Sequence, residues 1–153
     1  MTDPTTLLSE EIRLLDDAIN VFEWSMKRCN VIGIRDDLSM DELTEFEALT
    51  ARFSRLSDIL IQKVFRAMDD FELIAPGSIR DRINQGEKRG LIAEAEYLVK
   101  IRILRNEITH EYLPDALRDL FGEVLKYSGI LLECCKKTVE YSRTLLKNLP
   151  LEK

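Results

Sequence analysis

Apolar residues recur along this chain every three or four positions, the period of a helix with one buried face. Leu7, Leu8, Ile12, Leu15, Ile19 and Phe22 form the first stripe and predict a helix from Thr5 to about Cys29, opened by Pro4 in a first-turn position. Asn30-Val31-Ile32-Gly33 ends it, and a loop follows to Leu38. Ser39, with Glu42 three residues on, reads as a capping box. It opens a long second helix, Met40 to Phe71, striped by Leu43, Phe46, Leu49, Phe53, Leu56, Leu60, Val64 and Met68. Pro76-Gly77 breaks the chain, and Ser78 with Asp81 caps a short helix ending near Gly86, with Gly90 either a further break or a tolerated glycine. A fourth helix from about Leu91 buries Tyr97, Ile101, Leu104 and Ile108. Pro114 disfavours helical backbone at Leu113 and stops this helix at about His110–Tyr112. The fifth, from about Asp115 to Leu146, turns Leu117, Leu120, Val124, Leu131, Cys135, Val139 and Leu145 inward. Gly122 and Gly129 inside it would permit close approach of another helix.

The pattern predicts an all-α protein, an up-and-down bundle of four main helices plus a short extra helix. Length and composition keep that picture. The 153 residues suit one domain, 1–153, and six glycines and four prolines are few enough for a helical chain. No apolar run is long enough to span a membrane, and the N-terminus lacks a secretory signal. Cys29, Cys134 and Cys135 are a poor disulfide framework, so reduced thiols and a cytoplasmic location are expected. One histidine and no C-x-x-C spacing leave too few ligands for a metal site, and no cofactor is implied.

Net charge is −6, which disfavours nonspecific nucleic-acid binding, but the charge is uneven. Residues 1–79 carry eight basic and sixteen acidic side chains. Residues 80–105 carry seven basic and four acidic, the only positive stretch. Arg80, Lys88 and Arg89 within it read as solvated cations. The stretch leads into Arg105-Asn106-Glu107-Ile108-Thr109-His110-Glu111-Tyr112, which holds the chain's one histidine.

Those residue types suit phosphodiester chemistry on RNA. His110 has the ordinary pKa for removing a proton from a 2′-hydroxyl, and the Arg105 fork suits the charge that builds on phosphorus. Asn106, Arg102 and Tyr112 are supporting candidates that would contact RNA phosphate, with Tyr112 also able to stack on a base. Each has an ordinary alternative as a surface or helix-end residue: His110 as a dipole partner at the helix C-terminus, the arginines as helix cations. On a regular helix Arg105 and His110 lie about 140° apart. They converge only if the last turn unwinds or a second copy supplies one of them.

The spacing R-N-x3-H-x-Y, met in full by Arg105, Asn106, His110 and Tyr112, resembles the signature of HEPN domains and, more narrowly, HepT-type toxins paired with minimal nucleotidyltransferase antitoxins. The resemblance implies a helical bundle acting as a metal-independent endoribonuclease and homodimer, with both motif copies lining a shared cleft. It implies Arg105 and His110 as catalytic, Asn106 as supporting, and Tyr112 as the residue that an antitoxin nucleotidyltransferase loads with AMP. A related branch comprises helical partner proteins of nucleotidyltransferases that lack nuclease activity. A purely structural dimer is the third alternative.

Overall fold

The computed structural model describes residues 3–149, and among them there are helices and no strand. Helix α1 spans Pro4–Ile32, capped by the Asp3 carboxylate, which accepts from the Thr5 and Thr6 amides. Gly33 ends it with φ of +73°, a left-handed conformation that favours glycine. Helix α2 spans Met40–Asp58 and opens on the Ser39–Glu42 capping box. The chain then winds as a π-helix over Ile59–Val64 and resumes as α3, Phe65–Phe71. Helix α4 covers Ile79–Lys88, α5 Ala95–His110 and α6 Pro114–Lys147.

Four long elements form the bundle, with α1 packed on α2 and α6, and α5 packed on the same two from the opposite corner. Ion pairs show the direction of travel. Glu23 and Asp16 of α1 meet Lys136 and Arg143 of α6, so these helices run antiparallel. Phe22 packs on Phe53 and Phe46 stacks on Phe121, with centroids 6.2 and 5.4 Å apart, inside one continuous core.

Several expectations shift. The second helix is not uniformly α. Its stripe takes three successive four-residue steps, Leu56, Leu60, Val64 and Met68, which on an α-helix would rotate away from the core by about 40° each. The wider π turn keeps all four buried, and the Phe65 amide reaches back five residues to the Leu60 carbonyl. Helix α4 runs past Gly86, which is buried against Phe65; a Cβ there would sit 3.1 Å from the ring. The real stop is Gly90, φ +78°, in a Schellman pattern: the Gly90 amide bonds Glu87 O and the Leu91 amide bonds Gly86 O. That turn delays α5 to Ala95, so Leu98 fills the core and Tyr97 sits exposed on the flank. Neither Gly122 nor Gly129 sits at a tight approach, since a Cβ on Gly122 meets only Ile34, at 3.9 Å, and one on Gly129 meets nothing within 4 Å.

Arg89, expected in solvent, is buried. Its guanidinium pairs with Asp69 and Glu72, each at 2.8 Å, tying the α4 stop to the end of α3. Tyr141 of α6 also donates to Glu72, at 3.3 Å. Arg80 pairs with Glu96 at 2.8 Å.

Candidate functional site

The π-helix sets the site. It follows directly on Asp58, the last residue of α2, which faces α5 across the seam between the two elements. Arg102 and Arg105, one turn apart on α5, both reach that carboxylate. Arg105 donates from Nε to Asp58 Oδ1 at 2.9 Å and from Nη2 to Oδ2 at 2.8 Å, a bidentate grip. Arg102 donates from Nη1 to Oδ1 at 2.9 Å. With the Gln62 amide turned so that its oxygen faces Arg102, it accepts from Nη1 and Nη2 at 2.9 and 3.0 Å. The three charged side chains are each less than one third exposed. Hydrogen bonding to Asp58 holds the Arg105 guanidinium above its usual pKa, outweighing the opposing effect of burial.

Two arginines against one carboxylate leave a net positive charge. Arg105 Nη1 also donates to Thr109 Oγ1 at 3.2 Å. Of five N–H groups on this guanidinium, three are engaged and two have no partner among the described residues. A groove of about 560 Å³ runs past Asp58, Ile59 and Gln62, and its wall carries both signs of charge, Lys63 and Arg66 with Glu11 and Asp70.

The other motif residues lie on a different surface. Helix α5 stays regular through His110, so the last turn does not unwind, and Arg105 and His110 of one chain remain about 140° apart. His110 is exposed, and among the described residues its imidazole makes no hydrogen bond. Asn106, one turn earlier, is exposed on the same face, with Ile103, half in solvent, beside it. Beyond the helix, the Glu111 carboxylate accepts from the Tyr112 and Leu113 amides at 3.1 and 3.0 Å and fixes the three-residue connection to α6. Tyr112 and Leu113 project from it, 82% and 68% exposed. The motif therefore splits into an arginine paired with Asp58, an exposed face with Asn106 and His110, and Tyr112 in the connection beyond.

Asp58 and Gln62 were not singled out in the sequence. The run of four-residue steps beginning at Leu56 is the signal that marks this segment, since it announces the π turn beside them. Among the described residues, no three His, Cys, Asp or Glu side chains gather as a metal site requires, and no helix is long and apolar enough to cross a membrane. Cys29, Cys134 and Cys135 are free and buried. No family model, no curated protein and no solved structure matches this chain.

Proposed function

We propose that this chain is a metal-independent endoribonuclease of the HEPN toxin type, restrained by a nucleotidyltransferase partner. The observation that carries the reading is the grip of Arg102 and Arg105 on one shared carboxylate, within a helix that also ends in the R-N-x3-H-x-Y pattern. The pair concentrates two guanidinium groups at one point of the helix, and guanidinium binds phosphate oxygens as it binds carboxylate oxygens.

In this reading His110 takes the proton of an RNA 2′-hydroxyl as O2′ bonds to phosphorus. Arg105, backed by Arg102, stabilises the charge on the phosphorane oxygens through its open N–H groups. The P–O5′ bond breaks, O5′ takes a proton from water, and a 2′,3′-cyclic phosphate remains. Because the two residues diverge by about 140° on one helix, this reading pairs His110 of one copy with Arg105 of a second. Tyr112, at 82% exposure, is open to a modifying enzyme, and AMP there would place negative charge where RNA phosphate must sit.

The test is incubation of the protein with RNA in EDTA and analysis of the new ends. Cyclic phosphate termini that vanish in folded His110→Ala and Arg105→Ala variants are expected; undiminished cleavage in either variant overturns the reading. The engagement of the Arg105 fork by Asp58 favours one alternative, a non-catalytic partner protein of a nucleotidyltransferase. That alternative predicts no cleavage by the wild type, together with a stable complex with such an enzyme.

A further inference from the structure

Helix α1 carries two apolar stripes, and the bundle uses only one. Leu8, Ile12, Leu15, Ile19, Phe22 and Cys29 face the core. A second stripe stands in solvent: Leu14 at 41% exposure, Val21 at 42%, Trp24 at 56% and Val31 at 89%. With Asp17 and Arg28, also exposed, these positions form a strict heptad seam. Leu14, Val21 and Arg28 occupy one seam position; Asp17, Trp24 and Val31 occupy the other.

The seam is self-complementary when a second copy is laid across it in reverse. Antiparallel helices place one seam position against the other. About a two-fold axis between residues 22 and 23, Leu14 meets Val31 of the second copy, Val21 meets Trp24, and Asp17 meets Arg28. Each layer then repeats on the other side of the axis, as an isologous interface demands. A parallel pairing would set Asp17 on Asp17 and Arg28 on Arg28. A slip of one heptad would set Asp17 against Val21. The charged pair thus favours one direction and one register, with Arg28, already bonded to Glu45 through Nε and Nη2, meeting the second copy's Asp17 through Nη1.

The surroundings prepare this surface. Arg28 stacks 4.6 Å from the Trp24 ring and is held by Glu45 at 2.8 Å, so both side chains are ordered before association. Among the described residues Asp17 makes no salt bridge, which leaves it free for a partner's cation. Beside the seam, a groove of about 210 Å³ lined by Leu14, Asp17, Ala18, Val21, Arg52, Arg55 and Ile59 offers room for the facing side chains, and Arg52 and Arg55 of the same chain border Asp17 there.

We infer that α1 mediates antiparallel self-association of this chain through the Leu14–Val31 seam. The contact is independent of the nuclease reading. It lies at the corner of the bundle opposite α5, so it does not by itself join two motif copies.

Engineered cysteines test the register directly. Leu14 and Val31 lie about 25 Å apart along one helix, too far for an intrachain disulfide. Under mild oxidation a Leu14→Cys/Val31→Cys double variant should form a covalent dimer. An equimolar mixture of the two single variants should give the covalent heterodimer, and neither single variant alone should. The native thiols are buried, and wild-type protein under the same conditions is the control. Failure of the mixture to cross-link, or equal cross-linking of Val31→Cys alone, overturns the proposal. In a second measurement, Val21→Glu/Trp24→Glu should halve the mass by sedimentation relative to wild type that pairs only through this seam, or remove one pairing from a larger assembly. Unchanged mass, or a monomeric wild type, refutes it. RNA cleavage assayed on the same variants separates this outcome from that of the nuclease reading.

Discussion

Replacing Asp58 with alanine should destabilise the fold measurably, although the residue lies at a seam near the surface. The change removes an acceptor from three charged N–H groups, Arg105 Nε and Nη2 and Arg102 Nη1, at 2.8–2.9 Å. Hydrogen bonds to charged groups contribute about 1.5–3 kcal/mol each when well buried. Exposed ion pairs contribute about 0–1 kcal/mol. The side chains here are 21–29% exposed, between those limits, and Arg105 keeps Thr109 while Arg102 keeps Gln62. A net loss of about 2 kcal/mol follows, or about 4–8 °C in melting temperature for a domain of this size. Urea unfolding of Asp58→Ala, Arg105→Ala and the double variant closes a thermodynamic cycle. The coupling between the two sites should reach about 1 kcal/mol or more, because the second substitution removes a group already stripped of its partner. A loss below about 0.5 kcal/mol for Asp58→Ala, with additive single effects, would refute the claim that this carboxylate anchors α5 to α2.

Arg89→Ala should be more costly, about 3–5 kcal/mol by denaturant unfolding, because it strands the buried Asp69 carboxylate, 8% exposed, and the neighbouring Glu72. A loss under about 1 kcal/mol would mean that water replaces the guanidinium there. Gly86→Val should lower stability by about 1–3 kcal/mol, since even a Cβ meets the Phe65 ring at 3.1 Å; an unchanged melting temperature would show that the ring moves freely aside. The thiols should be inert to alkylation in the folded protein and react fully in denaturant. Burial pushes Cys29 up to about 11 and Cys134 up to about 12, and Cys135 well above its ordinary value, so little thiolate exists at neutral pH. Rapid native-state labelling of any of the three would contradict this packing.

The helices were legible because each carries its own local signal. Ser39 with Glu42 and Ser78 with Asp81 form the capping boxes that their spacing announces, and Pro114 stands at the first turn of α6. Boundaries failed where a local signal was ambiguous. Gly86 and Gly90 both read as stops; only the packing of Phe65 shows that the first is a close approach and the second the true end. The residue types of the motif were legible too, and so was their divergence, but the Asp58 carboxylate that engages the arginines was not. Helical spacing placed Arg105 and His110 on diverging faces, and the regular last turn of α5 keeps them there.

By itself, the sequence determined the helical class, the main chain breaks and the presence of R-N-x3-H-x-Y, because each depends on residues within about one or two turns of one another. The heptad seam on α1 is equally local, although only burial reveals that the core leaves it uncovered. Tertiary structure alone decided which charges meet. Asp58 finds Arg102 and Arg105 from 44 and 47 residues away, and Asp69 finds Arg89 from 20. Hydrophobic period fixes which side of a helix turns inward, but it carries no information about which polar group on another element will face a given cation. That pairing depends on the relative rotation and height of the packed helices, here set by a π turn at Ile59–Val64 and by the Gly90 stop that phases α5.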